Sequence, residues 1–398
     1  MGLFYLLVAV MPLERSRLLE HFFSGVSVIK YLGFACLVLA LVTAGKQRLG
    51  PALRQPACGW FLALAAWALL SQALLGPAFS WGLSPGASYL SFLMLLPIVV
   101  LLVNSARRLQ ATLWAMAAGM GVTSLYVLRE WQRHRGEASF RPGWIAGDPN
   151  YFTIAAVLIL PLAWSLRQRS RKPGERRLLL AAMLVIAAAT LLAASRGGFL
   201  GLSAGALWLA WHSRRRTQAL CAGLALLPLL LLSARSPLLR LLHPSAGDRT
   251  AVEKREIVWR AGLRMLAAHP LAGVGLGNFK LQVANYENGS GGGATVSSIA
   301  HNTYLEIAVE LGLPGLAAWL LLWIASWRSL ERSRRRAPPE SLVRASAEGL
   351  QAGLLGYAVS MFFLSAEYQK LLWLALFLAL ALPPLAARVA EPARQAAA

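Results

Sequence analysis

Apolar residues in this chain are grouped rather than spread. They fall in blocks of roughly 17–25, the length a helix needs to cross a bilayer, and short basic segments part the blocks. The blocks lie near residues 2–12, 22–45, 57–75, 87–104, 110–128, 151–166, 178–194, 197–212, 217–234, 303–327, 347–366 and 371–387. Hydrophobic residues make up 57% of the chain and charged residues only 14%, against about 25% charged in a soluble domain. So few charges cannot cover the surface of soluble domains at this length. The composition therefore excludes a disordered chain, a disulfide scaffold and a soluble nucleic-acid binder. The expected fold is all-α: a polytopic integral membrane protein of about 12 transmembrane helices, the first and eighth short.

The formal net charge is +22, from 39 Lys and Arg against 17 Asp and Glu. Such a balance usually signals nucleic acid or an anionic surface. In a membrane protein the first question is which side carries it. The connections 46–56, 104–109, 167–177, 213–216 and 328–346, with the C-terminal tail, hold 22 of the 39 basic residues. Most of these connections are short, so the positive-inside rule assigns them to the cytoplasm. Both termini are then cytoplasmic, and the long 235–302 connection lies outside. The chain divides into spans one to nine (1–234), a large outer loop (235–302) and spans ten to twelve with a tail (303–398). Cys36, Cys58 and Cys221 fall in or at the cytoplasmic ends of spans, without disulfide or metal spacing. The first apolar run lacks a basic leader and a small-residue cleavage site, so it reads as a short span rather than a signal peptide. Lys30, inside the second span, suits either a translocation path or a pairing with a glutamate.

Two outer segments interrupt the helical pattern. The first, 129–149, mixes both charge signs. The second, 235–302, is too long to be a plain connection. It opens with Ser236-Pro237 and His243-Pro244, and a helix is expected over 251–268. There Val258, Ala261 and Met265 form an apolar stripe, and Glu256, Arg260 and Arg264 a charged one, as on a helix lying at a membrane surface. The glycines at 273, 275 and 277 do not follow G-x-G-x-x-G spacing, and no strand is expected before them. They read as a tight turn back to the membrane. A glycine-rich tip follows at 289–293.

The segment from His301 to Gly315 is the richest in chemistry. Glu306 and Glu310 lie about one and two turns into the tenth span, on the face that carries Asn302. Ionisable groups in a membrane are expensive and face the bundle interior. They either hold helices together by pairing with arginines or serve a site. His301 sits at the water boundary, at a helix start. From position alone it is either a proton acceptor or a satisfied structural histidine.

His301-Asn302, nine residues, then Gly312 matches the H-[NSQ]-x9-G motif, and on it the chain resembles the O-antigen ligase family. Two further segments resemble that family: Ser195-Arg196-Gly197-Gly198, and Arg255-Glu256-Ile257-Val258-Trp259 leading into His269-Pro270-Leu271-Ala272-Gly273-Val274-Gly275. The resemblance spans about 145–325. It implies a GT-C type membrane glycosyltransferase of the bacterial inner membrane, working at the periplasmic face. The donor would be a glycan on undecaprenyl diphosphate and the acceptor a sugar hydroxyl of lipid A–core, for lipopolysaccharide biosynthesis. His301 would be the catalytic base. Arg196 and Arg255 match family arginines and would bind the diphosphate, with Arg264 and Arg141 as weaker members. Asn302, Glu306, Glu310 and Asp148 would support them. Asp148-Pro149-Asn150 also recurs in the superfamily, and its bland reading is a helix cap. No metal and no cofactor is expected, the arginines taking the place of a cation. Membrane lipids are expected partners; nucleic acid is not. Within the superfamily an O-antigen polymerase or a protein O-oligosaccharyltransferase is the alternative. The rival class is a lipid or polysaccharide transporter, in which repeated halves and broken helices meeting at the midplane are common.

Overall fold

A computed structural model describes residues 1–13, 28–44, 49–77, 84–135, 137, 140–143, 148–212, 246–287 and 299–395. All secondary structure among the described residues is helical. We number the principal helices α1 (Gly2–Val10), α2 (Val28–Ala44), α3 (Pro56–Leu74), α4 (Pro85–Leu102), α5 (Ala106–Arg133) and α6 (Pro149–Arg169). They continue as α7 (Pro173–Ala193), α8 (Arg196–His212), α9 (Ala246–Ala268), α10 (Thr303–Arg336), α11 (Leu342–Ser360) and α12 (Lys370–Gln395). By length and apolarity, seven of the described helices can cross a membrane: α3, α4, α5, α6, α7, α10 and α12. α1 and α2 carry shorter apolar stretches. The chain is thus a multi-pass helical membrane protein. The expected span at 217–234, the prolines at 237 and 244, Cys221 and the glycine tip at 289–293 lie outside the described residues.

Local chemistry sets the helix starts. The Asp148 carboxylate accepts the Asn150 N–H at 2.8 Å, and Pro149 opens α6 where a missing N–H costs nothing. Ser105 caps α5 in the same way, accepting the Arg108 N–H. Lipid tails give apolar helices no hydrophobic reason to associate, so packing depends on close approach through small residues. α11 shows this most clearly. A Cβ on Gly353 would lie 2.8 Å from the Leu158 carbonyl of α6, and one on Gly356 2.5 Å from the Gly201 carbonyl of α8. On the other side of the bundle, aromatic rings of α3, α4, α10 and α12 fill the core. Trp373 stacks on Phe92 with centroids 4.6 Å apart, and Phe61 meets Phe377 edge-on at 4.9 Å.

Three boundaries differ from the hydropathy pattern. α11 stops at Ser360, so residues 361–366 are not helical although they are apolar. They begin a strap, 361–369, that crosses the start of α10. Their backbone groups find partners there instead of in a helix: Thr303 N–H donates to the Met361 carbonyl at 3.0 Å, and Ala366 N–H to Thr303 Oγ1 at 2.9 Å. α10 extends to Arg336 rather than 327, because Glu331 holds Arg334 and Arg335 one turn on. α5 runs to Arg133, so Arg129 and Glu130 are helical rather than part of a loop.

The close helix contact makes a prediction. A side chain at Gly201 would collide with the Gly356 carbonyl and the Ser360 hydroxyl, whereas a Cβ at Gly121 meets nothing within 4 Å. Gly201→Val is expected to destabilise the purified protein by about 1–3 kcal/mol. Gly121→Val should leave the thermal unfolding midpoint unchanged.

Candidate active site

A break in α10 organises this end of the bundle. Gly312 has φ 68° and ψ −177°, and Pro314 follows it. An intact helix would pair the Val309 carbonyl with the N–H of residue 313 and the Glu310 carbonyl with that of residue 314, which as proline has none. The loop after α9 takes those places. Val274 N–H donates to the Val309 carbonyl at 2.9 Å, and Gly275 N–H to the Glu310 carbonyl at 3.1 Å. In return Leu313 N–H donates to the Pro270 carbonyl at 2.8 Å. Trp67 Nε1, from α3, donates to the Leu311 carbonyl at 2.8 Å. Gly273 also has positive φ, and a Cβ there would strike the Glu310 carbonyl. The two glycine-bearing motifs, 269–275 and 301–312, are therefore two halves of one backbone joint.

The buried glutamates serve the joint and the strap rather than arginines. Glu310 Oε1 accepts the Phe279 N–H at 3.2 Å, and its other oxygen faces the Tyr368 hydroxyl at 3.4 Å. Glu306 accepts a hydrogen bond from the Ser365 hydroxyl of the strap. Neither is in an ion pair among the described residues. Asn278 Nδ2 donates to the Leu75 and Val274 carbonyls, which ties the loop to the end of α3.

α9 lies over the joint on its apolar stripe. Val258, Ala261 and Met265 are buried with Val274, Phe279 and Val309 in a small core of their own. Glu256 and Arg260 pair on the exposed face at 2.6 Å. Trp259 Nε1 donates to the Ala300 carbonyl at 2.8 Å, so α9 holds the residue next to His301. Asn302 caps α10, its Oδ1 accepting the N–H groups of Tyr304 and Leu305 at 3.0 and 3.1 Å. Pinned on both sides, His301 adopts φ 48°, a left-handed conformation that costs a non-glycine residue about 1–2 kcal/mol. Such strain persists where the surroundings over-determine it, and it clusters at functional sites.

The third wall is the turn between α7 and α8. Ser195 Oγ donates to Asn150 Oδ1 at 2.7 Å, which joins the Asp148-capped start of α6 to the residue before Arg196. A Cβ at Gly198 would collide with Thr153, so the turn sits tightly on α6.

Asp148, Arg196, Arg255 and His301 come from four separate segments and meet electrostatically. Burial, and then the Arg255 charge, hold the His301 imidazole below its usual range, while Asp148 pulls the other way. Burial and Arg196 likewise disfavour the charge on Arg255, and Asp148 favours it. A histidine so placed is neutral near pH 7 and free to take a proton. Its Nδ1 is buried without a hydrogen-bond partner among the described residues, a condition rare in native proteins.

The remaining expected members lie apart. Arg141 donates from Nε and Nη2 to the Ala193 carbonyl at 3.1 and 2.8 Å, and from Nη2 to that of Ala194, so it closes the end of α7 just before the Arg196 turn. Arg264 is exposed and donates to the Tyr286 carbonyl at 3.0 Å. Nine residues along a helix put it on the face opposite Arg255, ~13 Å away along the axis. Among the described residues no three His, Cys, Asp or Glu side chains lie close enough to hold a metal ion.

One contact and one residue escape the sequence pattern. Asn150 and Ser195 link two motifs through one hydrogen bond. Glu367, on the strap, is 2% exposed and is in no ion pair among the described residues. Burial, with the charges of Glu306 and Glu310, holds it well above the usual carboxylate range. Its one sequence signal is an acid in a short connection between two apolar blocks.

Residues 181–320 match the family model described as O-antigen ligase. The matched segment contains the Arg196 turn, α9, the backbone joint and His301, and it supports the family resemblance carried by the motifs. No curated protein matches the chain.

The joint can be tested directly. Gly273→Ala adds a Cβ where the Glu310 carbonyl stands, in a conformation that disfavours it. Hydrogen exchange at the Val274 and Gly275 amides should rise at least tenfold, while amides in α6 keep their protection. Unchanged exchange at residues 274 and 275 would mean that the joint is not held by these bonds.

Proposed function

We propose that this chain is an O-antigen ligase: a GT-C type membrane glycosyltransferase that moves a glycan from undecaprenyl diphosphate to a sugar hydroxyl of lipid A–core. It would work at the periplasmic face of the bacterial inner membrane, with both termini in the cytoplasm. The observation that carries the reading is the meeting of a neutral, strained His301 with the guanidinium groups of Arg255 and Arg196.

The chemistry assigns each group a task. A sugar hydroxyl is a poor nucleophile at neutral pH, and His301 takes its proton as the oxygen attacks the anomeric carbon of the donor. The bond from that carbon to the diphosphate oxygen breaks, and negative charge builds on the leaving phosphate. Arg196 and Arg255 meet that charge with planar, fixed donors. Attack opposite the leaving group inverts the anomeric configuration. Asp148 offsets part of the Arg255 charge, so that His301 and the diphosphate can share one site. The guanidinium groups supply the charge that a divalent cation supplies elsewhere, so the reaction is metal-independent. Arg141 acts indirectly, by holding the end of α7, and Arg264 lies too far round α9 to share in the transfer.

Polymerase action on a second lipid-linked glycan uses the same chemistry with a different acceptor. The H-[NSQ]-x9-G match and the moderate length of the 235–302 loop favour the ligase. A transporter is disfavoured because the polar groups gather at one end of the bundle rather than at its midplane.

His301→Ala should lower transfer in a reconstituted assay by about 100- to 10,000-fold, with normal expression and membrane insertion and with unused lipid-linked glycan accumulating in cells. EDTA should leave the wild-type rate unchanged. Near-normal transfer by the His301→Ala protein would remove the base from this scheme.

A further inference from the structure

The strap, 361–369, reaches three of the four segments that form the site. On α10, Thr303 stands two residues after His301. Its hydroxyl works in both directions, donating to the Leu364 carbonyl at 2.8 Å and accepting the Ala366 N–H at 2.9 Å. On α6, Tyr151 stands three residues after Asp148, and its hydroxyl donates to the Ser365 carbonyl at 2.9 Å. At the turn between α7 and α8, Gly197 follows Arg196. A Cβ on Gly197 would lie 2.9 Å from the Phe363 Cβ, so a strap side chain packs directly on the backbone of that turn. Ser360, where α11 ends and the strap begins, donates to the Gly197 carbonyl at 3.2 Å. At its far end the strap is held by Trp373, whose Nε1 donates to the Glu367 carbonyl at 2.7 Å.

We propose that the strap is a positioning element for glycan transfer, with Thr303 and Tyr151 as its positioning residues, and that it sets where His301 stands relative to the Arg196 turn. This role rests on the transfer reading above, in which the base and the diphosphate-binding arginines must face one donor. Residues 363–366 alone make the contacts with all three segments. Four residues of chain span at most ~14 Å, so α6, α8 and α10 cannot separate at this end without breaking one of these contacts. The Ser365 hydroxyl adds a bond to Glu306, one turn further along α10. A displacement of about 1 Å at a reacting group can lower a rate 10²-fold, so a clamp of this kind bears on turnover as well as on stability. The strap lies beyond the segment matched by the family model, which ends at residue 320.

The test compares full-length Thr303→Val, Thr303→Ser and Tyr151→Phe with the wild type in the reconstituted transfer assay, well below each unfolding midpoint. Valine keeps the shape of threonine and makes neither hydroxyl bond. In Thr303→Val kcat per folded molecule should fall about 10- to 100-fold, with KM for the lipid-linked donor close to that of the wild type. Thr303→Ser should recover most of the loss. Tyr151→Phe should also lower kcat, and it keeps the test open if Thr303→Val does not fold. The double variant Thr303→Val with Tyr151→Phe should lose less than the product of the two single losses, because both anchors serve one strap. Hydrogen exchange supplies a readout that needs no activity. The Gly198 and Phe199 amides bond to Ser195 beside the Arg196 turn. They should exchange about tenfold faster in Thr303→Val, although residue 303 lies on another helix, and at the wild-type rate in Thr303→Ser. Unchanged exchange at 198 and 199 in both Thr303→Val and Tyr151→Phe would overturn the proposal. A lower unfolding midpoint with wild-type kcat in both variants would overturn it too, since the strap would then only stabilise the fold. A wild-type protein that transfers no glycan would overturn the reading of the function, and the exchange at 198 and 199 would still support or overturn the strap's hold on the turn.

Discussion

The break in α10 is the constraint on which the rest of this end of the molecule depends. A helix cannot continue through a residue with φ 68°, and Pro314 removes the donor that would have served the Glu310 carbonyl. Inside a membrane an unpaired carbonyl costs several kcal/mol. The loop from Pro270 to Gly275 supplies the missing donors and receives one in return. This exchange fixes the loop to a membrane helix by backbone bonds, and α9 is carried into place with it. Glu310 adds its carboxylate to the same joint by accepting the Phe279 N–H. Glu310 thus holds loop backbone, and Glu306 holds the Ser365 hydroxyl of the strap.

That division explains how a pocket with excess positive charge can exist beside a neutral histidine. Trp259 holds Ala300, Asn302 caps α10, and Thr303 is tied to the strap. The backbone on both sides of His301 is thus held, and burial together with the Arg255 charge disfavours its protonation. Asp148 limits this effect, and its place is fixed by its role at the start of α6. One carboxylate therefore caps a helix and tempers the electrostatics of residues from two other segments. The family match over residues 181–320 includes three of the four groups, while Asp148 lies before it.

Much of the architecture is legible in the sequence because it rests on local signals. The apolar stripe of Val258, Ala261 and Met265 foretells the buried face of α9, and Asp148-Pro149 foretells the start of α6. The strap is not legible. Met361 to Leu364 are as apolar as a span, and only the tertiary hydrogen bonds with Thr303 and Tyr151 explain why the helix stops before them. Glu367 is hidden for the same reason. The far end of α10 is hidden in the opposite way, because charged residues that pair along a helix look like a loop to a hydropathy scale. In the site, residue types and motif order point to His301, Arg196 and Arg255, and nine residues of helix set Arg264 on the face opposite Arg255, but motif order does not show that these segments meet. Nor does it show that the glycines at 273 and 312 face each other across one joint.

The central claim is that His301 acts as a base whose ionisation is set by its burial and then by the charges of Arg255 and Asp148. The most direct measurement is the pH dependence of kcat/KM for transfer by the wild-type, Arg255→Gln and Asp148→Asn proteins. A base works when unprotonated, so transfer should fall as pH drops through the His301 pKa. That limb should lie below the ordinary histidine range, near 6.5, in the wild-type enzyme. Loss of the Arg255 charge should move it to higher pH, and loss of the Asp148 charge to lower pH, with asparagine still able to cap α6. Opposite shifts in the two variants are the predicted result. An acid limb that stays in place in both, or moves the same way in both, would contradict the account.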